Sequence, residues 1–450
     1  MVLTEKLTDY DKMQQYVLIL EDKLRKSEIN NIRLEARITE LTKPIKTSKN
    51  SSKPPSFDIG RKNKSLRGKS NRKTGGQQGH EGFTMEMSTT PTRTKKLKPT
   101  YCHECGEKLT SKGKLSEIRQ LWDLPKIVVD VTEYRVFEKI CSCGACTKGS
   151  FPELVTAPVC YGSRVQGMCA YLSVRQCISI NRIKELFRDV FNMSISEGTI
   201  VNKVKNTSRS LETTYETIRS KVENSKCVGT DETGCKVAGS TMWMWVWQTV
   251  NLTYISISTN RGFETIERLF AKGFKSATLV HDCWKAHFKT LARQHQICIA
   301  HVLRELQYFI DHGKEQWAQE LYTLFIRAIA LKNEILENPN TDYTLQVSQV
   351  KSDKDQLLAN TSSIKDKKLI TLINRLIKYE QSIFVFLDRI EVPPDNNGSE
   401  RAIRNIKVKT KVSGLFRTIE GAHHYAVIRS VIDTCIKNKG NIFETLNLAH

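Results

Sequence analysis

Between Cys227 and Asp282 the apolar residues stop recurring at helical intervals and alternate instead, and this block constrains the core more than any other part of the chain. Residues 227–231 read as a buried strand ending at Asp231. Trp243 to Val250 and Tyr254 to Ser258 read as a hairpin turning at Asn251, and Ala277 to Asp282 as a fourth strand. The run from Ile297 to Ala300 then leads into a helix beginning near His301. Alternation puts Trp243, Trp245 and Trp247 on one face, where core packing explains them better than base stacking.

A strand, a hairpin, another strand and then alternating helix and strand is the order an RNase H-like α/β fold would show. Three acidic residues stand at the edges of this block. Asp231 and Asp282 close strand-like runs, and Glu400 opens a basic helix, so carboxylates far apart in sequence are placed to meet at the rim of one sheet. Hard divalent cations prefer oxygen ligands, and two of them ~3.5–4 Å apart clamp the attacking and leaving oxygens of an in-line displacement. The expected chemistry is therefore magnesium-dependent phosphoryl transfer, with manganese as a substitute and Asp231, Asp282 and Glu400 as both catalytic residues and metal ligands.

Alternation turns Glu232 away from the face of Asp231, and His281 away from that of Asp282. Asp395, in the loop before the helix, is the alternative to Glu400, and Asn396 and Asn397 read as helix caps. Arg401, Arg404, Lys407, Lys409, Lys411 and Arg417 follow Glu400 with no acid before Glu420, a row suited to a DNA backbone.

The net charge of +22 favours a polyanionic partner. Residues 43–98 carry fifteen basic residues against three acidic ones (Asp58, Glu81, Glu86) and read as a disordered linker that meets nucleic acid. Before it, residues 10–42 repeat in heptads, with Val17, Leu24, Asn31 and Ile38 at a and Met13, Leu20, Ser27, Leu34 and Leu41 at d. This predicts a short parallel coiled coil joining two copies, with Asn31 setting register. No apolar run of eighteen residues and no signal-peptide core occur, so the expectation is a soluble intracellular protein.

The thirteen cysteines are scattered except for a cluster in residues 99–150. Cys102 and Cys105 form one pair; Cys141, Cys143 and Cys146 offer the second, as Cys143 with Cys146 or Cys141 with Cys143. Strand-like residues 127–131 and 134–137 lie between them, giving the spacing of a zinc ribbon held by four of the five thiolates. Residues 160–220 are helical and contain a helix-turn-helix-like pair. Ser194 and Glu197 have capping-box spacing at the start of its second helix, which would carry Thr199, Asn202, Lys203 and Lys205 to a major groove. Residues 225–312 form the first part of the catalytic core, 313–392 a helical insertion, and 393–450 the closing helices. The fold class is thus multidomain α+β, an RNase H-like core preceded by coiled coil, zinc ribbon and helical DNA-binding region.

These elements in this order resemble the transposases of the insertion-sequence-66 group over almost the whole chain. The resemblance is carried by residues 48–56, the Gly75 to His80 element, the paired cysteines, Phe151 to Glu153, Ser196 to Ile200, the three acidic motifs, and above all Asn396 to Arg404 followed by Lys409 to Ala422. It implies a DDE-type enzyme of a bacterial mobile element, acting in the cytoplasm at the nucleoid. Such an enzyme binds the element's terminal inverted repeats and target DNA, cleaves and joins strands, and works with accessory proteins encoded beside it. Its triad would fall on Asp231, Asp282 and Glu400. Cys298 to His301 matches a family stretch in which Ile299 replaces a Trp, and His301 there either orients a metal ligand or simply packs. From the residues alone, a zinc-containing DNA-binding regulator without catalysis, or an RNase H-like nuclease, are the alternatives.

Overall fold

The computed structural model describes residues 9–41, 85–313 and 315–447. The Gly75 to His80 element and most of the basic tract lie outside the described residues. Two compact units divide the chain, one of residues 1–59, 154–183 and 197–450, the other of residues 60–153 and 184–196.

Helix α1 (Asp9–Leu41) is one 33-residue helix, as the heptads predict. Every described side chain along it is exposed, including heptad residues Met13, Leu20, Leu24 and Leu34.

The cysteine-bearing unit has little regular structure. Strand β1 (Glu138–Ile140) pairs antiparallel with β2 (Cys146–Lys148). The strands expected at residues 127–131 and 134–137 do not form. Val128 and Val131 are exposed and find no ladder partner among the described residues, and a strand without a partner has no hydrogen bonds to hold it.

The larger unit opens with α2 (Ser163–Ala170), continued by a π-helical turn at Tyr171–Arg175. Next come α3 (Ile180–Phe191), which runs on past the unit boundary, then α4 (Glu197–Ser210) and α5 (Glu212–Glu223). Asn192, at φ 51°, ends α3, and the Met193 N–H returns to the Phe187 carbonyl at 3.0 Å. α4 starts at Glu197, the residue expected to stand three positions after Ser194 in the capping box.

The sheet is formed by β3 (Cys227–Val237), β4 (Ser240–Gln248), β5 (Thr253–Ser258), β6 (Phe274–His281) and β7 (Ala292–Ile297), with α6 (Phe263–Leu269) and α7 (Lys285–Lys289) in the connections. Its order is β5-β4-β3-β6-β7; β4 runs against both neighbours, and β6 is parallel to β3 and β7. β3 continues six residues past the expected end at Asp231, because Ala238 (φ 48°) and Gly239 (φ 83°) make a two-residue turn that folds β4 back along it. β7 ends where the expected strand began, and the following helix, α8 (Ile299–Gly313), starts two residues before His301.

After α8 come α9 (Gln316–Glu337), α10 (Thr344–Ala359), α11 (Lys367–Lys378) and α12 (Val385–Asp388). Its core is continuous with Val280, Ile297 and the buried face of α8, so the insertion packs on the β6–β7 side of the sheet. Buried Lys332 donates to the carbonyls of Phe386, Arg389 and Ile390 at 2.6–3.0 Å and ties down the chain leading out of α12. The rest is α13 (Asn397–Ser413), α14 (Ile419–Lys437) and α15 (Ile442–Asn447). α14 covers edge strand β5, whose Thr253 and Ile255 N–H groups donate to the Thr434 and Ser430 hydroxyls.

Candidate active site

Parallel pairing of β3 with β6 stops at Gly229 opposite Val280, so Asp231 on β3 and Asp282 just after β6 both lie past the carboxyl end of the parallel strands. That is where open α/β sheets place their ligands. Glu400 arrives on the first turn of α13. Two contacts seat that turn: Ile299 N–H donates to Pro394 O at 2.9 Å, and Asn396 N–H donates to Cys298 Sγ at 3.2 Å. Buried Asn396 then donates from Nδ2 to Thr230 O (2.7 Å) and accepts from Ser399 Oγ (2.7 Å). Asn396 thus holds the cap position without capping by its side chain; it ties the helix to β3 instead. The missing Cβ atoms of Gly229 and Gly398 leave room for this approach.

Asp231 feels the charges of the other two acids. The Asp231 carboxyl is pushed well above the ordinary carboxylate range by burial first, then by the charges of Glu232, Asp282 and Glu400, against the Glu232 N–H that donates to its Oδ1 at 2.9 Å. Asp282 Oδ1 accepts from Trp284 N at 3.0 Å. Glu400 Oε1 is 3.3 Å from Arg304 Nη2 on α8, and its Oε2 3.9 Å from Arg404 Nη2. Among the described residues, no three His, Cys, Asp or Glu side chains are drawn together closely enough to hold a metal ion. Glu400 is turned to its arginines; the donor set is nevertheless all oxygen, and the strain on Asp231 is of the kind a cation relieves. Asp395 accepts from the N–H and Nδ2 of Asn397 and so shapes the loop.

Glu232 and the residues around it are what sequence reasoning missed. The Glu232 side chain is fully buried, with Oε1 2.5 Å from Arg261 Nε and Oε2 3.1 Å from His287 Nε2. Burial alone would raise its pKa; His287 and Arg261 outweigh that and hold it low. Period-two alternation could not reveal this, because the partners come from elsewhere in the chain, Arg261 from the loop after β5 and His287 from α7. Behind them, His281 Nε2 meets His295 Nδ1 at 3.0 Å, and burial drives His281 well below, and His295 down to about 4, favouring neutral rings. His301 is also pushed down to about 4, by burial and then Arg304, while the charge of Asp282 opposes the shift.

Of the expected DNA contacts, Arg401, Arg404, Lys411 and Arg417 are exposed on or just after α13, and Asn202 is exposed on α4. Thr199 is half-buried, and Lys205 lines an open cavity of about 500 Å³ with Arg209, His423 and His424. Lys407 reaches Gly234 O at 3.1 Å. Lys203 and Lys409 turn inward, to the carbonyls of Tyr161 (3.2 Å) and Ser173 (3.3 Å).

In the cysteine-bearing unit two turns repeat one another. Gly106 N–H bonds Cys102 O, and Cys102 N–H bonds Glu107 O; Gly144 N–H bonds Cys141 O, and Cys141 N–H bonds Ala145 O, one residue tighter. Gly106 (φ 76°) and Gly144 (φ 88°) take the left-handed conformation directly after Cys105 and Cys143. Cys102 and Cys141 have lowered thiol pKa values, the first through hydrogen bonds from Cys105 and Glu104, the second through those from Cys143 and Ser142.

Comparison with known proteins gives two family matches. Residues 159–424, more than half of the chain, match the Transposase IS66 family, and residues 10–86 match a family of unknown function. No curated protein matches the chain. No helix among the described residues is long and apolar enough to cross a membrane.

Proposed function

Because this chain belongs to the IS66 family of transposases, we propose that it binds the ends of its mobile element and cuts and joins DNA there, with Asp231, Asp282 and Glu400 as the catalytic carboxylates. The observation that carries the reading is the placement of Asp231 and Asp282 past the carboxyl ends of parallel β3 and β6, with the first turn of α13, which bears Glu400, tied to β3 by Asn396. The strand order, with β4 alone reversed, supports an RNase H-like core.

Magnesium or manganese suits the all-oxygen set and, when bound, supplies positive charge against an in-line displacement and lowers the pKa of an attacking water. Water attacks the phosphorus at the element's end and the bond to the 3′ oxygen breaks, leaving a 3′ hydroxyl. That hydroxyl then attacks a phosphorus of target DNA, whose own 3′ oxygen leaves. Arg401, Arg404, Lys411 and Arg417 hold the backbone, which positions the DNA without specifying its sequence. Asn202, Thr199 and Lys205 on α4 contribute to end recognition.

The two turns, each with glycine after its second cysteine, support a reading in which Cys102, Cys105, Cys141 and Cys143 are the zinc ligands. The exposed heptad face of α1 supports pairing of two copies, so that both element ends are held together.

The test is a magnesium-dependent cleavage and strand-transfer assay on DNA carrying the element's ends, with any neighbouring encoded proteins added. Joined products from wild type that vanish in Asp231→Asn and Glu400→Gln support the reading. Variants as active as wild type remove the carboxylate assignment, and a wild type that binds the ends without cutting makes the protein a regulator.

A further inference from the structure

The fourth carboxylate of this region is used in neither displacement, yet it is the most deeply buried. Glu232 and His287 are almost solvent-free, with side-chain exposures of 0% and 1%. A buried charge persists only where it is paired, and Glu232 has two partners, Arg261 and His287. His287 Nε2 must carry its proton to donate to the Glu232 carboxylate, which sets the ring's tautomer. The same Nε2–H lies 3.8 Å from Asp282 Oδ1, the oxygen already held by Trp284 N.

Arg261 completes the frame. Its guanidinium lies 5.0 Å over the Trp243 ring and 4.2 Å over the Trp284 ring, and Trp284 Nε1 donates to Arg261 O at 3.4 Å. The loop after β5 is thereby clamped to the loop after β6 on which Asp282 stands. One oxygen of Asp282 is held by Trp284 N, with the His287 ring beside it at 3.8 Å, and the other is left for a ligand.

We infer that Glu232 and His287 are positioning residues, a carboxylate–imidazole pair that orients the Asp282 carboxylate for a divalent cation, with Arg261 between two tryptophans as the brace. The inference rests on the metal-holding role proposed above for Asp282. Partners that orient a metal ligand are worth about 10–100-fold in metal affinity.

The experiment is calorimetric titration of the full chain with manganese alone, with circular dichroism as the control for folding. His287→Ala is expected to weaken manganese binding by about 10-fold or more, and His287→Gln, which restores an N–H donor, to recover most of the loss. Glu232→Gln keeps the side-chain volume but removes the charge that sets the ring, and is expected to fall between them. A folded His287→Ala or Glu232→Gln with wild-type affinity overturns the inference, as does a His287→Gln no better than His287→Ala. Should His287→Ala not fold, Glu232→Gln decides alone. If wild-type binding vanishes in Asp282→Asn yet survives in the Glu232 and His287 variants, only the positioning role falls. If wild type binds no manganese, the metal reading of the carboxylates falls and takes this inference with it.

Discussion

A single methyl group at Gly229 should separate binding of the fold from working of the site. Gly229 lies on β3 opposite Gln248 of β4 and Val280 of β6, directly beneath the first turn of α13. A Cβ there would fall 2.6 Å from Asn396 Oδ1, 2.6 Å from Gln248 Nε2 and 2.9 Å from Ser399 Oγ. None of the three can swing aside freely. Ser399 Oγ donates to Asn396 Oδ1, Asn396 Nδ2 donates to Thr230 O, and Gln248 Oε1 accepts from Lys437 at 2.8 Å. Relief to an ordinary contact requires about 0.8 Å of movement, and the element that moves most cheaply is the turn carrying Glu400. A displacement near 1 Å costs on the order of 100-fold in rate. The overpacking itself costs about 1–3 kcal/mol, a few degrees of melting temperature in a domain of this size. Gly229→Ala should therefore lose roughly 10- to 100-fold in strand cleavage while remaining folded. Gly234→Ala, on the same strand but with its nearest neighbours at 3.9 and 4.0 Å, should retain wild-type cleavage. Full activity in Gly229→Ala, or an equal loss in Gly234→Ala, would refute the argument that close approach of α13 to β3 positions Glu400.

Asp231→Asn removes a charge that burial, Glu232, Asp282 and Glu400 all disfavour, so it should stabilise the protein by about 0.5–2 kcal/mol while abolishing cleavage. Thermal denaturation measures this, and a melting point below wild type contradicts it. Because the folded-state carboxyl titrates above its unfolded value of 3.8, the favourable state of Asp231 is complete below that pH and is lost as pH rises through the raised value. The stability gap between variant and wild type should accordingly widen with pH from 3.8 upward. In the cysteine-bearing unit, Cys143→Ser should release zinc and Cys146→Ser should keep it, read as zinc per chain by elemental analysis; loss of zinc in both variants moves the second pair of ligands to Cys143 and Cys146.

What was legible in the sequence follows from how far each cause reaches along the chain. Period-two alternation and heptads are local, and so the sheet region and α1 could be read directly. β3 was cut short at Asp231 because its continuation, Glu232 to Val237, is polar or small at several positions; its hydrogen bonds with β4, closed by the Ala238-Gly239 turn, hold it in the sheet. Residues 127–131 failed in the opposite sense, having strand composition but no ladder partner among the described residues. Glu232 was set aside by alternation, which correctly predicts the opposite face but not that Arg261 and His287 meet the side chain there. Asn396 looked like a cap for the same reason: the Thr230 carbonyl that claims its amide is 166 residues away.

The long insertion between Asp282 and Glu400 raises the question of how a third acid can be placed after so many intervening residues. The contacts around it give an answer that does not depend on the insertion's length. Pro394 and Asn396 are bonded to the turn joining β7 to α8, and Asn396 to the backbone of β3, so Glu400 takes its position from the sheet. Downstream, Phe416 N–H bonds Lys236 O and Ala238 N–H bonds Phe416 O, which fastens the far end of the same segment to the end of β3. A helix held at both ends against one strand behaves as part of the sheet's rim. Residues 313–392 then need only return the chain to the β7–α8 turn, and Lys332, gathering three carbonyls at the exit of α12, is the side chain that does so. Changes in α9 to α11 that leave this exit intact should alter stability without moving Glu400.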